Sequence, residues 1–160
     1  MLFRSVWYRP LEPTMCRYTD IPDHPQCHGE HGFMTAIQSI GMIRTYERTG
    51  RKDILENIIT TAYYIIDNLY DPETIGFVHS RCPLRIQARH VGGVSGFLWY
   101  PLAYAYRETG DDRFRRVLVD TLKKAEKEDR WLTDTPPLGK GFPAGILFMS
   151  DIQGLLNGLI

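Results

Sequence analysis

All five histidines of this chain lie in two polar segments, and each segment runs into an apolar stretch with helical spacing. The first, CRYTDIPDHPQCHGEHG (Cys16 to Gly32), carries Tyr18, Asp20, Asp23, His24, Cys27, His28, Glu30 and His31. The second, GFVHSRCPLRIQARHVGG (Gly76 to Gly93), carries His79, Arg81, Cys82, Arg85, Arg89 and His90. A third, WLTDTPPLGKGFPAG (Trp131 to Gly145), carries Trp131, Asp134 and Lys140. Imidazoles titrate near neutrality, so His28, His31, His79 and His90 suit proton transfer. His28 and His31, three apart, read as a donor and acceptor pair facing one pocket, or as imidazoles bonded to loop carbonyls.

Glu30 is placed by its sequence at the start of a helix, where the macrodipole favours an ionised carboxylate. That suits a base or nucleophile, and equally a plain first-turn charge. Arg81, Arg85 and Arg89 recur every four residues. On a helix they form one stripe; in an extended loop they clamp a carboxylate or sulfate; a solvated surface is the third reading. Loop-borne Tyr18 and Trp131 offer aromatic faces to a sugar ring, whereas aromatics within helices are read as core. Cys27, His28 and His31, with Cys16 or His24, are possible zinc ligands, although their spacing matches no common finger pattern. The sequence reading therefore assigns no cofactor, with zinc as the alternative.

The elements that must hold these groups repeat. Ile43 to Leu55 (IRTYERTGRKDIL) is echoed sixty positions later by Ala103 to Arg115 (AYAYRETGDDRFR). Self-similarity at a fixed period marks a repeat architecture, here a helical hairpin. Apolar periodicity predicts a first helix from about Gly32 to Arg48, stopped by Thr49-Gly50, because glycine takes a left-handed C-cap without strain. A second helix is expected from Lys52 or Asp53 to Leu69, ended by Asp71-Pro72. Gly96 to Glu108 repeats the first helix, with Pro101 kinking it or delaying its start. Asp111 or Asp112 caps the next helix, whose charged tail is KKAEKEDR (Lys123 to Arg130). Ile152 to Leu156 resembles Val94 to Leu98, so a third unit is expected to begin and stop at Ile160, as in a truncated array. The expected fold class is all-α, with an irregular segment at 1–31 and hairpins across 32–160. The lead-in segments then share one face of the stack, where a site would form.

Composition bounds the partners. Nineteen basic and nineteen acidic residues cancel, which points away from nucleic acid and anionic membranes. Nothing approaches the roughly 20 apolar residues of a membrane span, and no signal peptide is visible. Three cysteines at irregular spacing argue against a disulfide scaffold.

The phrases HGFMTAIQSIGMIRTYERTGR and GVSGFLWYPLAYAYRETGDDRF, with the loop DPETIGFVHSRCP between them, resemble six-hairpin, or (α/α)6-toroid, carbohydrate-active proteins. The resemblance spans Gly29 to Ile160 and carries a folding signature rather than a catalytic motif. It implies a glycoside hydrolase or a uronate-directed polysaccharide lyase, with an oligosaccharide or polysaccharide bound at the loop-bearing end. Glu30 would be the acid or base of hydrolysis, with Asp20, Asp23 or Asp134 as partner. In elimination Tyr18 or a histidine would be the base. Arg81, Arg85 and Trp131 would contact substrate. A second resemblance, of Cys27-His28-Gly29 to the zinc element of lanthionine-cyclase-like α-toroids, implies a metal, but His90-Val91-Gly92 departs from that group's pattern. A non-catalytic helical-repeat binding module is the remaining alternative.

Overall fold

Glycine at two positions sixty residues apart closes two helical hairpins in the same way. The computed structural model of the chain describes residues 8–10, 28–78, 80–81, 89–90 and 93–127. Helix α1 (Gly32–Thr49) and helix α2 (Lys52–Tyr64) form the first hairpin, and α3 (Trp99–Thr109) and α4 (Asp112–Lys127) the second. Gly50 and Gly110 adopt φ of 63° and 70°, the left-handed region that other residues enter at a cost. Their N–H groups donate to the carbonyls of Tyr46 and Tyr106 at 2.8 and 2.7 Å. The preceding threonine hydroxyls donate one turn back, Thr49 to Thr45 and Thr109 to Ala105, each at 2.7 Å. The same oxygens accept from the N–H of Arg51 and Asp111. Thr-Gly thus terminates each first helix by satisfying carbonyls that would otherwise be orphaned.

An ion pair follows each glycine, with its charges exchanged. Arg51 bonds Asp53 at 2.6 Å in the first hairpin; Arg113 bonds Asp111 at 2.9 Å in the second. The geometry of the turn is therefore repeated while the sign of each position is not.

The helices pack through a shared core. Ala36 and Ile43 of α1, Ile58 and Ala62 of α2, and Phe114 and Leu118 of α4 are buried around α3. Every residue of α3 from Trp99 to Ala105 is buried. That stretch is covered on all sides and accordingly carries no charged side chain, whereas the last turn, Arg107 to Thr109, is exposed. Within it Trp99 Nε1–H donates to Thr121 Oγ1 at 3.0 Å. Thr121 in turn donates to the Val117 carbonyl. Pro101 falls in the first turn of α3, where its missing N–H would have no helical partner anyway. A tighter 3-10 segment, Gly93–Leu98, precedes it, so proline delays the start and α3 opens at Trp99 rather than Gly96.

Helix α2 continues, but not as a regular helix. Ile65–Leu69 widens into a π-helical turn, and the N–H of Tyr70 reaches the carbonyl of Ile65, five residues back. The chain then becomes extended before Pro72, as steric conflict with the proline ring requires.

Six short strands complete the described structure: β1 (Tyr8–Pro10), β2 (His28–His31), β3 (Tyr70–Asp71), β4 (Gly76–Val78), β5 (Ser80–Arg81) and β6 (Arg89–His90). They form two antiparallel sheets, ordered β1-β2-β5 and β3-β4-β6. Most described residues are helical, in agreement with the all-α expectation, but the segment 1–31 is not simply irregular, since it contributes β1 and β2. Strand formation there was not visible because runs of two to four residues carry no measurable two-residue alternation. The third unit expected from Ile152 lies outside the described residues.

Candidate functional site

The two sheets sit at the ends of the helices opposite the Thr-Gly turns. Strand β2 runs straight into α1, since His31 ends one and Gly32 begins the other. Gly32 is required by space rather than by φ. A Cβ there would lie 3.0 Å from the Val78 carbonyl oxygen, so β4 is held directly against the first turn of α1. Strands β4 and β5 are separated by position 79 alone, so one stretch of chain, Gly76 to Arg81, serves the second sheet and then the first. The two histidine-bearing segments are in this way brought to one end of the hairpin pair.

Backbone register then decides which chemical groups are neighbours. Glu30 of β2 pairs with Arg81 of β5 and with Tyr8 of β1. His31 pairs with Ser80, and His28 with Pro10. His90 of β6 pairs with Phe77, and Arg89 with Val78. Adjacent strands lie about 4.8 Å apart, so the register places Glu30 and Arg81 at adjoining backbone positions.

This arrangement corrects two expectations. Glu30 is in a strand two residues ahead of α1, whose first turn contains no acidic residue, so the helix-start argument for its charge does not apply. Arg81 and Arg89 belong to strands of different sheets, so no helical arginine stripe exists. His28 and His31 are the two ends of a strand, separated by about 10 Å of extended backbone. Tyr18, Asp20, Asp23, His24, Cys16, Cys27, His79, Cys82, Arg85, Trp131, Asp134 and Lys140 lie outside the described residues. Among the described residues no three His, Cys, Asp or Glu side chains converge on a metal position, and no helix is long and apolar enough to cross a membrane. Trp99 and Tyr100 are buried, in keeping with their reading as core.

A concave surface lies elsewhere among the described residues. A groove of about 430 Å³ lies between the end of α2, the β3–β4 turn and α4. Its walls include Tyr70, Ile75, Arg113, Arg116 and Asp120. Asp71 closes the turn by accepting from the N–H groups of Glu73 and Thr74 and from the Thr74 hydroxyl. Lys124 of α4 clamps the same turn through the Thr74 carbonyl. So held, Ile75 adopts φ of 48°, a strained conformation for a β-branched residue. Burial, with Asp120 and Asp71 nearby, pushes the Tyr70 hydroxyl pKa up. Arg113, Arg116, Val117 and Asp120 share a helical stripe that the sequence displays, but the β3–β4 turn opposite them is a tertiary placement.

Comparison with family models, with curated proteins and with solved structures gives no match.

Proposed function

We propose that these hairpins belong to an (α/α)6-toroid enzyme of carbohydrate metabolism, which holds a glycan against the two sheets that lead into the helices. The observation that carries this reading is the register of Glu30 with Arg81, beside the segments bearing His28, His31 and His90. A carboxylate position, a guanidinium position and several imidazole positions at one end of a helical array are the groups that sugar chemistry uses. In hydrolysis, one carboxylic acid protonates the glycosidic oxygen while a carboxylate activates water or attacks the anomeric carbon. In elimination at a uronate, a base removes the C5 proton, the C4–O bond breaks, and the departing oxygen takes a proton. There a guanidinium neutralises the uronate carboxylate.

The test is turnover of neutral and uronic oligosaccharides, monitored by reducing ends and by ultraviolet absorbance of unsaturated uronate. Reducing ends without the chromophore select hydrolysis, and both together select elimination. Glu30→Gln is expected to abolish hydrolysis. Neither turnover nor binding across both glycan classes would overturn the proposal.

A further inference from the structure

The groove between the end of α2 and α4 carries chemistry that the sheets do not use. Its walls come from the second helices of two consecutive hairpins, both present in the described residues. A further hairpin stacks on the outer flank of either pair and leaves this seam between them open. Along α4, Arg113, Arg116 and Asp120 face the groove at one-turn spacing. Opposite them stand Asp67 of the π-helical turn, Tyr70 and Ile75.

Charges of both signs line the groove without neutralising one another. Among the described residues the side chains of Asp67, Arg116 and Asp120 make no hydrogen bond or ion pair, and neither does the Tyr70 hydroxyl. Arg113 is engaged by Asp111. The facing wall is also held by two unfavourable backbone features. One is the π-helical turn; the other is Ile75, whose φ of 48° is fixed by the Asp71 and Lys124 bonds to its turn. Ile75 is 36% exposed, so this strain adds little to the core and instead sets an apolar edge beside the polar groups.

We infer that this groove binds a small neutral saccharide, at a site separate from the sheets. The lining selects the ligand class. Two carboxylates repel an anion, and two guanidiniums repel a cation. A sugar hydroxyl both donates and accepts, so one ligand donates to Asp67 or Asp120 and accepts from Arg116 or Tyr70. Its C–H faces rest on Ile75 and Val117. The volume of about 430 Å³ lies within the range of small-molecule sites. The inference is drawn from the groove alone and does not require any reaction at the sheets.

Isoleucine-methyl NMR of the whole chain reads this groove directly, because Ile66 and Ile75 line it. Cellobiose and maltose are the probes, with glucuronate, glucosamine and glycylglycine as charged controls. A neutral disaccharide at millimolar concentration is expected to shift both methyl signals saturably, and the charged controls to bind at least tenfold more weakly. Arg116→Gln and Asp120→Asn each remove a charged partner of a ligand hydroxyl and should weaken binding about tenfold. Shifts at Ile66 and Ile75 without turnover of any glycan would uphold this site while the reading of the sheets fails. Silence at both methyls with both disaccharides overturns the inference. So does a charged control that binds as tightly, or binding that neither substitution weakens.

Discussion

Tyr63 Oη donates a 2.9 Å hydrogen bond to Asp111 Oδ2, joining the second helix of one hairpin to the turn of the next across 48 residues. The tyrosine ring packs on Phe114 with centroids 4.7 Å apart, and the Arg113 guanidinium stands 4.7 Å from its centroid. One side chain therefore meets the N-cap, the ion pair and the first buried residue of α4. Position 63 is where the two repeats are registered against each other.

Tyr63→Phe is expected to retain the ring contact and lose the hydroxyl, lowering the urea midpoint slightly. Tyr63→Ala removes both, and its loss should be larger, since it opens space beside buried Phe114. Equal effects of the two variants in equilibrium unfolding would mean that ring packing contributes nothing to the register.

Asp111 also predicts an acid dependence. Hydrogen bonds from the Arg113 side chain, then from the Arg113 backbone N–H and from Tyr63, hold its carboxyl pKa down at about 2, against an ordinary 3.8. A carboxyl depressed on folding stabilises the native state above its unfolded pKa, and that contribution fades as pH falls toward the folded value. Wild-type stability should thus decline from about pH 4 toward pH 2. Asp111→Asn keeps a good N-cap and removes the titration, so its pH profile should be flatter in that window. Urea midpoints measured at several pH values decide it.

The glycines separate two kinds of constraint. At Gly50 and Gly110 a Cβ would meet no atom of the described residues within 4 Å, so alanine there suffers from the left-handed backbone, about 1–2 kcal/mol each. At Gly32 the Cβ would press on the Val78 carbonyl, so Gly32→Ala must move β4 or α1. Thermal unfolding should show similar losses for the two turn variants. Near-ultraviolet circular dichroism should change for Gly32→Ala alone.

Trp99 and Thr121 form a buried polar pair inside an apolar cluster. Thr121→Val leaves the indole N–H without its acceptor and should cost about 1–3 kcal/mol. With Trp99→Phe already present, that donor is gone and Thr121→Val should cost less. A double-mutant cycle with no coupling energy would show that the hydrogen bond does not contribute to stability.

The helical hairpins were legible because their signals are local. The 3.6-residue spacing of Ile43, Tyr46, Ile54 and Ile58, and the demand of Thr-Gly for a left-handed residue, depend on neighbours within one or two turns. So does the displacement of the α3 start by Pro101, which lacks the N–H that a regular α-helical turn begun at Gly96 would use, so that the tighter 3-10 segment Gly93–Leu98 precedes it. The site was legible as composition only: His28, Glu30, His31, Arg81 and His90 stood out by type, but not by which lies beside which. Strands of two to four residues are held by partners far along the chain, so tertiary structure alone set Glu30 against Arg81 and moved Glu30 out of the helix. The same holds for coverage. Ile37 and Phe97 occupy matching places in the repeat, and no local pattern tells which will be packed. That depends on what stands beside each helix in space, and it left Ile37 and Gly41 exposed while Trp99 to Ala105 of α3 are enclosed.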